Sequence, residues 1–423
     1  FFRAGAASRT VAKAMSAYDM KFSDDIYGKE GNGRYVCESR LNKMLEHEYN
    51  ILIERLEMQR GNTTCFFSLA NTLTTTNFAD DFAGHGWMGV RFQKKPGAPY
   101  NQVTIHLKML DRQGVDQQEV VGVLGVNLLY ALFYHDDLDT FPQQLVEGIH
   151  RQRLEIDYIR FEGPHFENVD NRLMNFLLVK NGMTNAVLFQ ENGDVILARD
   201  YLYHKNLLVV RGSYHPPTLV SEDILSSGRE CFAKDIQNED IETLCEITLV
   251  NQQNQMIQEE DFLFRLKLVS SLGKKLLLTN YAEYHNLTSY FYDLKPFNIA
   301  IVLGVYNFQQ IFSQEYKHPK GGILESLGLL FRDNVRIYLY PYRNFKDDEL
   351  TELENLQTPK EFSFLMEYLK GNNQLKGIKN YNNKILHIYS SLILNLIREK
   401  NALWHTMVSG KVKKLLEQKF GNE

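Results

Sequence analysis

The stretch Leu207-Leu208-Val209-Val210-Arg211-Gly212-Ser213-Tyr214-His215-Pro216-Pro217-Thr218-Leu219-Val220-Ser221-Glu222-Asp223-Ile224-Leu225 decides the fold. Four apolar residues form a strand pattern, a glycine- and proline-bearing turn interrupts it, and a helical pattern follows at Glu222–Lys234. The alternation continues outward. It predicts strands at Leu244–Val250, Lys275–Thr279, Ile299–Gly304 and Val335–Tyr340. Between them it predicts helices at Asp261–Leu272, Ala282–Tyr292, Phe308–Tyr316 and Gly322–Phe331. Strand and helix in regular turn imply right-handed βαβ units on a mostly parallel sheet. Ligands of such sheets sit beyond the carboxyl ends of the strands. The loops to watch are therefore Arg211–Thr218, Asn280–Tyr284, Gly304–Asn307 and Tyr340–Arg343.

Toward the amino end the pattern changes. Asn42–Gln59 repeats apolar residues at helical spacing, and Gln102–Met109 alternates apolar and polar residues as a half-buried strand does. Cys65–Leu69 also reads as a strand. Gly84-His85-Gly86-Trp87-Met88-Gly89 reads as a tight turn packing under Trp87, with anion binding through its amides as the alternative. Gln117–Tyr134 is apolar nearly all round and is expected between layers. A strand at Ile156–Phe161 and a helix at Arg172–Lys180 follow. Ala186–Phe189 and Val195–Ala198 read as a hairpin across Glu191-Asn192-Gly193-Asp194. The expected division is 1–60 for an N-terminal segment and helix, 61–200 for a first α/β lobe, 201–345 for a Rossmann-like lobe, and 346–423 for a basic helical extension. The fold class is thus α/β, a mostly parallel Rossmann-like sheet with flanking helices.

Composition sets the bounds. The 423 residues are 44% hydrophobic, 12% aromatic and 23% charged, which is globular rather than disordered. Cys37, Cys65, Cys231 and Cys245 form no CxxC pair, so a zinc module and a disulfide scaffold are poor readings. The histidines show neither HxxxH nor HExxH spacing, and neither a GxSxG elbow nor a P-loop is present. The net charge of −5 is unevenly placed. Residues 371–423 hold nine Lys/Arg against three acids, a local +6, so the other 370 residues carry −11. Such a tail suits an acidic protein surface or an anionic membrane. Nucleic acid is the weakest partner, because no recognition motif accompanies the charge.

The turn at Gly212 resembles the loop of nicotinate and nicotinamide mononucleotide adenylyltransferases and their nucleotidyltransferase relatives. Their pattern is Gly-Ser/Thr-Phe-Asp/Asn-Pro-x-His/Thr-x-Gly-His. Gly212, Ser213, Pro216 and Thr218 match it, and Tyr214 stands for the aromatic. His215 replaces the Asp/Asn, Val220 the second glycine and Ser221 the final histidine. The second signature of that family, Ser-Ser/Thr-x-x-Arg, is absent. More broadly, residues 17–343 are similar to large bacterial proteins labelled nicotinate-nucleotide adenylyltransferase. The segments that carry this likeness include Gly84–Gly89, Leu124–Leu128, Arg211–Tyr214 and Gly321–Gly328. An intact member of that class would hold ATP with Mg²⁺. The resemblance then implies Gly212, Ser213 and Thr218 as nucleotide contacts, and His215 and Thr218 as the catalytic candidates. Gly304 joins the nucleotide contacts by its place at a strand end, where a simple strand-to-helix turn is the competing reading. Losing an imidazole at a phosphate clamp costs roughly 3 kcal/mol if it equals a lost oxyanion donor. The eroded loop therefore implies a nucleotidyltransferase-like pseudoenzyme. The alternative is an active enzyme transferring AMP from ATP to the mononucleotide.

Both ends add expectations. Residues 1–18 carry Arg3, Arg9 and Lys13, and no acid precedes Asp19. A basic, Ala- and Ser-rich start without Met reads as the retained end of a mitochondrial presequence. An ordinary basic helix of a cytoplasmic protein is the competing reading. Combined with the eroded loop, this predicts an accessory subunit of a larger mitochondrial assembly, such as a respiratory-chain or ATP synthase complex. Ile385–Ile397 is too short to cross a bilayer. With Trp404-His405 and Lys411-Val412-Lys413-Lys414, it suits an arm lying on a partner or a membrane surface. It equally suits two helices folded back on the chain's own body. The concentration of charge and apolar residues beyond Arg343 favours the arm.

Overall fold

The computed structural model describes residues 10–31, 33–76, 84–250, 256–313, 316–332, 334–343 and 348–421. Arg3 and Arg9 of the expected presequence lie outside them. The chain divides into two compact units, residues 1–185 and 186–423.

In the first unit, helices α1 (Met20–Tyr27) and α2 (Glu38–Arg60) precede strands β1 (Phe67–Thr74), β2 (Gly84–Phe92) and β3 (Asn101–Met109). Helices α3 (Gly114–Tyr134) and α4 (Phe141–Leu145), strand β4 (Leu154–Glu162) and helix α5 (Asn171–Lys180) complete it. The four strands form an antiparallel sheet in chain order. Gly84–Gly89 is thus part of a central strand rather than a turn, because its residues pair with both β1 and β3. The glycines serve packing. A Cβ on Gly89 would lie 2.9 Å from Leu45 and 3.2 Å from Leu41, so α2 needs a bare backbone beneath it. Helix α3 lies on the opposite face, where Phe133 meets Phe92. It is not enclosed between layers, since Val115, Tyr130 and Tyr134 point outward.

The second unit opens with β5 (Ala186–Phe189), β6 (Val195–Ile196), α6 (Ala198–Leu202), β7 (Asn206–Arg211) and α7 (Leu219–Ile236). Next come β8 (Ile241–Thr248), α8 (Glu259–Ser271), β9 (Lys275–Thr279), α9 (Tyr284–Asp293), β10 (Asn298–Gly304) and α10 (Val305–Gln310). Helix α11 (Gly322–Leu330), β11 (Val335–Tyr340), the ribbon β12 (Tyr342–Arg343) and β13 (Leu350–Thr351), and α12 (Ser363–Gly371) follow. Strand β14 (Leu375–Gly377), α13 (Ser390–Arg398) and α14 (Gly410–Phe420) end it. Eight strands form one sheet in the order β14-β11-β10-β7-β8-β9-β5-β6. The six from β14 to β9 are parallel, and β5 and β6 form an antiparallel edge. Numbered by themselves, the parallel strands run 3-2-1-4-5-6, so the winding reverses between β7 and β10. Crevices for ligands open at such reversals.

Three further expectations change here. The first unit ends at Asn185, not at 200, because β5 pairs with β9 in the larger sheet. Residues 346–423 are not a free extension either. Strand β14 adds to the sheet beside β11. Ile388, Ile393, Leu396, Trp404, Met407, Val408, Val412 and Leu416 are buried in a cluster with Leu268 of α8. Their apolar side faces this chain's own body. The helix expected at Phe308–Tyr316 is shorter, ending at Gln310.

Helix α7 rides close to the sheet at Gly228, where a Cβ would come 2.7 Å from Cγ2 of Val302. A β-branched neighbour on a central strand has little room to turn away. Gly228→Ala is expected to destabilise the chain by about 1–3 kcal/mol, the usual cost of overpacking, read as a lower urea midpoint.

Candidate functional site

The carboxyl edge of the sheet at the reversal carries the loops after β7 and β10. Its chemistry begins with Glu246, a carboxylate on β8 with no solvent exposure. A buried carboxylate needs a cation and hydrogen-bond donors. Arg211, at the end of β7, lies 2.5 Å from it. Thr279 Oγ1 donates to Glu246 at 2.6 Å and Thr248 Oγ1 at 3.1 Å. Arg211 also donates to the carbonyls of Tyr281 (2.6 Å) and Ala282 (2.7 Å), and its guanidinium stacks 4.5 Å from the Tyr284 ring. Its burial opposes the charge, yet Glu246 outweighs this and raises its pKa. Arg211 is thus committed to tying together the carboxyl ends of β7, β8 and β9.

The Gly212 turn is filled from within. Tyr214 adopts a left-handed conformation (φ 47°), is buried, and donates from its hydroxyl to the Val210 carbonyl at 2.8 Å. A Cβ on Gly212 would come 3.1 Å from the Tyr214 ring, so the glycine makes room for this aromatic. Ser213 offers its carbonyl to Arg265 at 2.8 Å. His215 Nδ1 stands 2.9 Å from Asp261 Oδ1, and Arg265 grips the same carboxylate at 2.6 Å. Burial would raise the Asp261 pKa, but His215 and Arg265 outweigh it and hold the carboxyl well below its ordinary range.

Thr218 is the N-cap of α7. Its hydroxyl accepts from the Ser221 amide at 3.3 Å, while the Thr218 amide donates to Ser221 Oγ at 3.1 Å. That is a reciprocal capping box, and it explains the serine where the adenylyltransferase pattern has histidine. The Leu219 amide donates to the carbonyl of Met407 at 3.0 Å, and Ser390 Oγ donates to the Pro216 carbonyl at 2.9 Å. Leu219 and Val220 pack against the Trp404 and Met407 cluster. The valine in place of glycine is therefore the seat of the C-terminal segment. A helix start of this kind binds anions through free first-turn amides; here Thr218, Leu219 and Ser221 all donate within the chain.

Gly304 ends β10, and the start of α11 follows it along the chain. Gly304 precedes α10 with an extended backbone, and nothing stands within 4 Å of a Cβ built there. At the helix opened by His318-Pro319-Lys320-Gly321-Gly322, the Gly321 amide donates to Glu325 at 2.6 Å. His318 Nδ1 meets the buried Ser326 hydroxyl at 2.9 Å, and His285 Nδ1 lies 3.2 Å from the Tyr316 hydroxyl. Burial lowers the His285 pKa and pushes Tyr316 up to about 12. Burial likewise raises the Cys245 thiol to about 12, which leaves it inert. Among the described residues, no group of three or more His, Cys, Asp or Glu is arranged to hold a metal ion.

Gly212, Ser213, His215 and Thr218 lie together because they are neighbours in the chain. The sequence pattern left Glu246, Asp261, Arg265 and Met407 unmarked as their neighbours. Glu246 left a trace, as the one carboxylate inside the apolar run Leu244–Val250. No protein-family model matches this chain, and no curated protein matches it.

Arg211→Met leaves Glu246 buried and unpaired, so a loss of about 3–5 kcal/mol is expected, measured by urea unfolding. Asp261 has a folded pKa below its unfolded value near 3.9. Its contribution is complete above that value and is lost as pH falls through the folded one. Asp261→Asn is expected to lower stability at pH 7 and to flatten the acid limb of the stability–pH curve.

Proposed function

We propose that the chain is a non-catalytic accessory subunit of a larger mitochondrial assembly, built on a Rossmann-like, nucleotidyltransferase-like unit that no longer handles nucleotide. The observation that carries this reading is the Leu219 amide bonded to the Met407 carbonyl. An adenylyltransferase needs that helix start open to polyphosphate, because its catalysis rests on positioning and charge neutralisation. Here the amides of Thr218, Leu219 and Ser221 and the Arg211 guanidinium have partners within the chain, and His215 faces Asp261. The strand order, with its reversal beside this turn, supports the ancestry.

The attachment surface we assign is the polar side of the C-terminal segment. Lys384, Lys400, Lys411 and Lys414 are exposed, and among the described residues none of them lies in an ion pair. Acidic protein surfaces of a larger complex fit that charge, and peripheral contact with an anionic membrane fits it as well. No helix among the described residues is long and apolar enough to cross a membrane. The mitochondrial placement rests on the basic, acid-free start of the sequence.

Purified chain mixed with ATP, Mg²⁺ and nicotinamide or nicotinate mononucleotide is expected to release no pyrophosphate above background. Release that Gly212→Val abolishes would establish the active enzyme instead. In native mitochondrial extracts the chain is expected to sediment with a large particle, and a free monomeric pool counts against the subunit reading.

A further inference from the structure

Strands β3 and β4 of the first unit pair with one irregularity. His106 faces Tyr158, whereas Leu107 faces Ile156, so Asp157 is the extra residue of a bulge. Consecutive residues of a regular strand point to opposite faces. The bulge re-aims Asp157 to the face that carries His106. Asp157 Oδ1 lies 2.5 Å from His106 Nδ1, and the His106 ring is wholly buried. On the other side of that ring, Nε2 stands 3.3 Å from Nδ1 of His85 on β2. His85 is partly exposed. Trp87 walls the pair, 5.0 Å from the His106 ring and 5.3 Å from Tyr158.

We propose that His85 and His106 form a binding site for a divalent late transition-metal ion of the zinc class, with Asp157 as the outer carboxylate that orients His106. Two imidazole nitrogens bound tetrahedrally to zinc at 2.0–2.1 Å stand about 3.3–3.4 Å apart, which is the separation seen here. A carboxylate accepting from the remote ring nitrogen is the usual support of a ligating histidine. Asp157 accepts from His106 Nδ1–H, so Nε2 presents its lone pair toward His85. Binding needs the proton between the two rings to leave for solvent, so that both facing nitrogens present lone pairs. Nitrogen donors select zinc, copper or nickel over calcium and magnesium.

The charged surroundings are compatible with a cation. Lys108 Nζ lies 3.2 Å from Asp157 and 3.0 Å from Glu155, two carboxylates against one ammonium. Burial would raise the Asp157 pKa, but His106 and Lys108 outweigh it and keep the carboxylate ionised. Two imidazoles fill half of a tetrahedral shell. Spacing rules miss such a pair because its members come from different strands.

The test is titration of the full-length, tag-free chain with Co²⁺, followed by competition with Zn²⁺. A saturable single equivalent, with the visible absorption of tetrahedral Co²⁺ and its loss to Zn²⁺, is expected. Asp157→Asn should weaken binding by about 10- to 100-fold, the usual effect of an outer partner. His85→Ala should abolish it. His106→Ala risks unfolding, so the partly exposed His85 is the better variant, with circular dichroism confirming its fold. Absence of saturable binding overturns the proposal. So does binding that survives both variants unchanged, which would place the ion on other histidines.

Discussion

A carboxylate buried on a central strand constrains everything around it. Glu246 has no access to water, and Arg211 is the cation that neutralises it. Once Arg211 turns inward to that task, its remaining donors reach the carbonyls of Tyr281 and Ala282 and fix the loop after β9. Tyr284 then closes over the guanidinium. The ends of three adjacent strands are held by one ion pair, at the edge where doubly wound proteins keep their ligands.

The neighbouring helix start follows the same logic of internal satisfaction. Its amides need acceptors, and a buried helix end without them would be costly. Thr218 and Ser221 serve each other, and Met407 serves Leu219 from far along the chain. The departures from the adenylyltransferase pattern at Val220 and Ser221 are thus positive features. One seats an apolar cluster and the other completes a cap. The bonds and contacts made here show that both residues are in use.

What the sequence disclosed was what depends on near neighbours. The strands at Lys275–Thr279 and Val335–Tyr340 were readable residue for residue, because short apolar runs bounded by polar turns have few other solutions. Gly84–Gly89 misled, since glycine density usually marks a turn; here it marks a helix pressing on a strand. The boundary near 200 misled because strand pairing of Leu188 with Leu277 is invisible to local pattern. The candidate turn was legible as strand, glycine and helix. Its occupation by Met407, Asp261 and Arg265 was not, because each arrives from a distant segment.

The antiparallel edge has a consequence for biosynthesis. Ala186–Phe189 leaves the ribosome as an apolar strand whose partner, Leu276–Thr279, is made only after β7 and β8. Until then its sole neighbour is the two-residue β6. A nascent chain paused in that interval exposes a sticky ribbon of high β-propensity, the kind of segment that holdase chaperones shield.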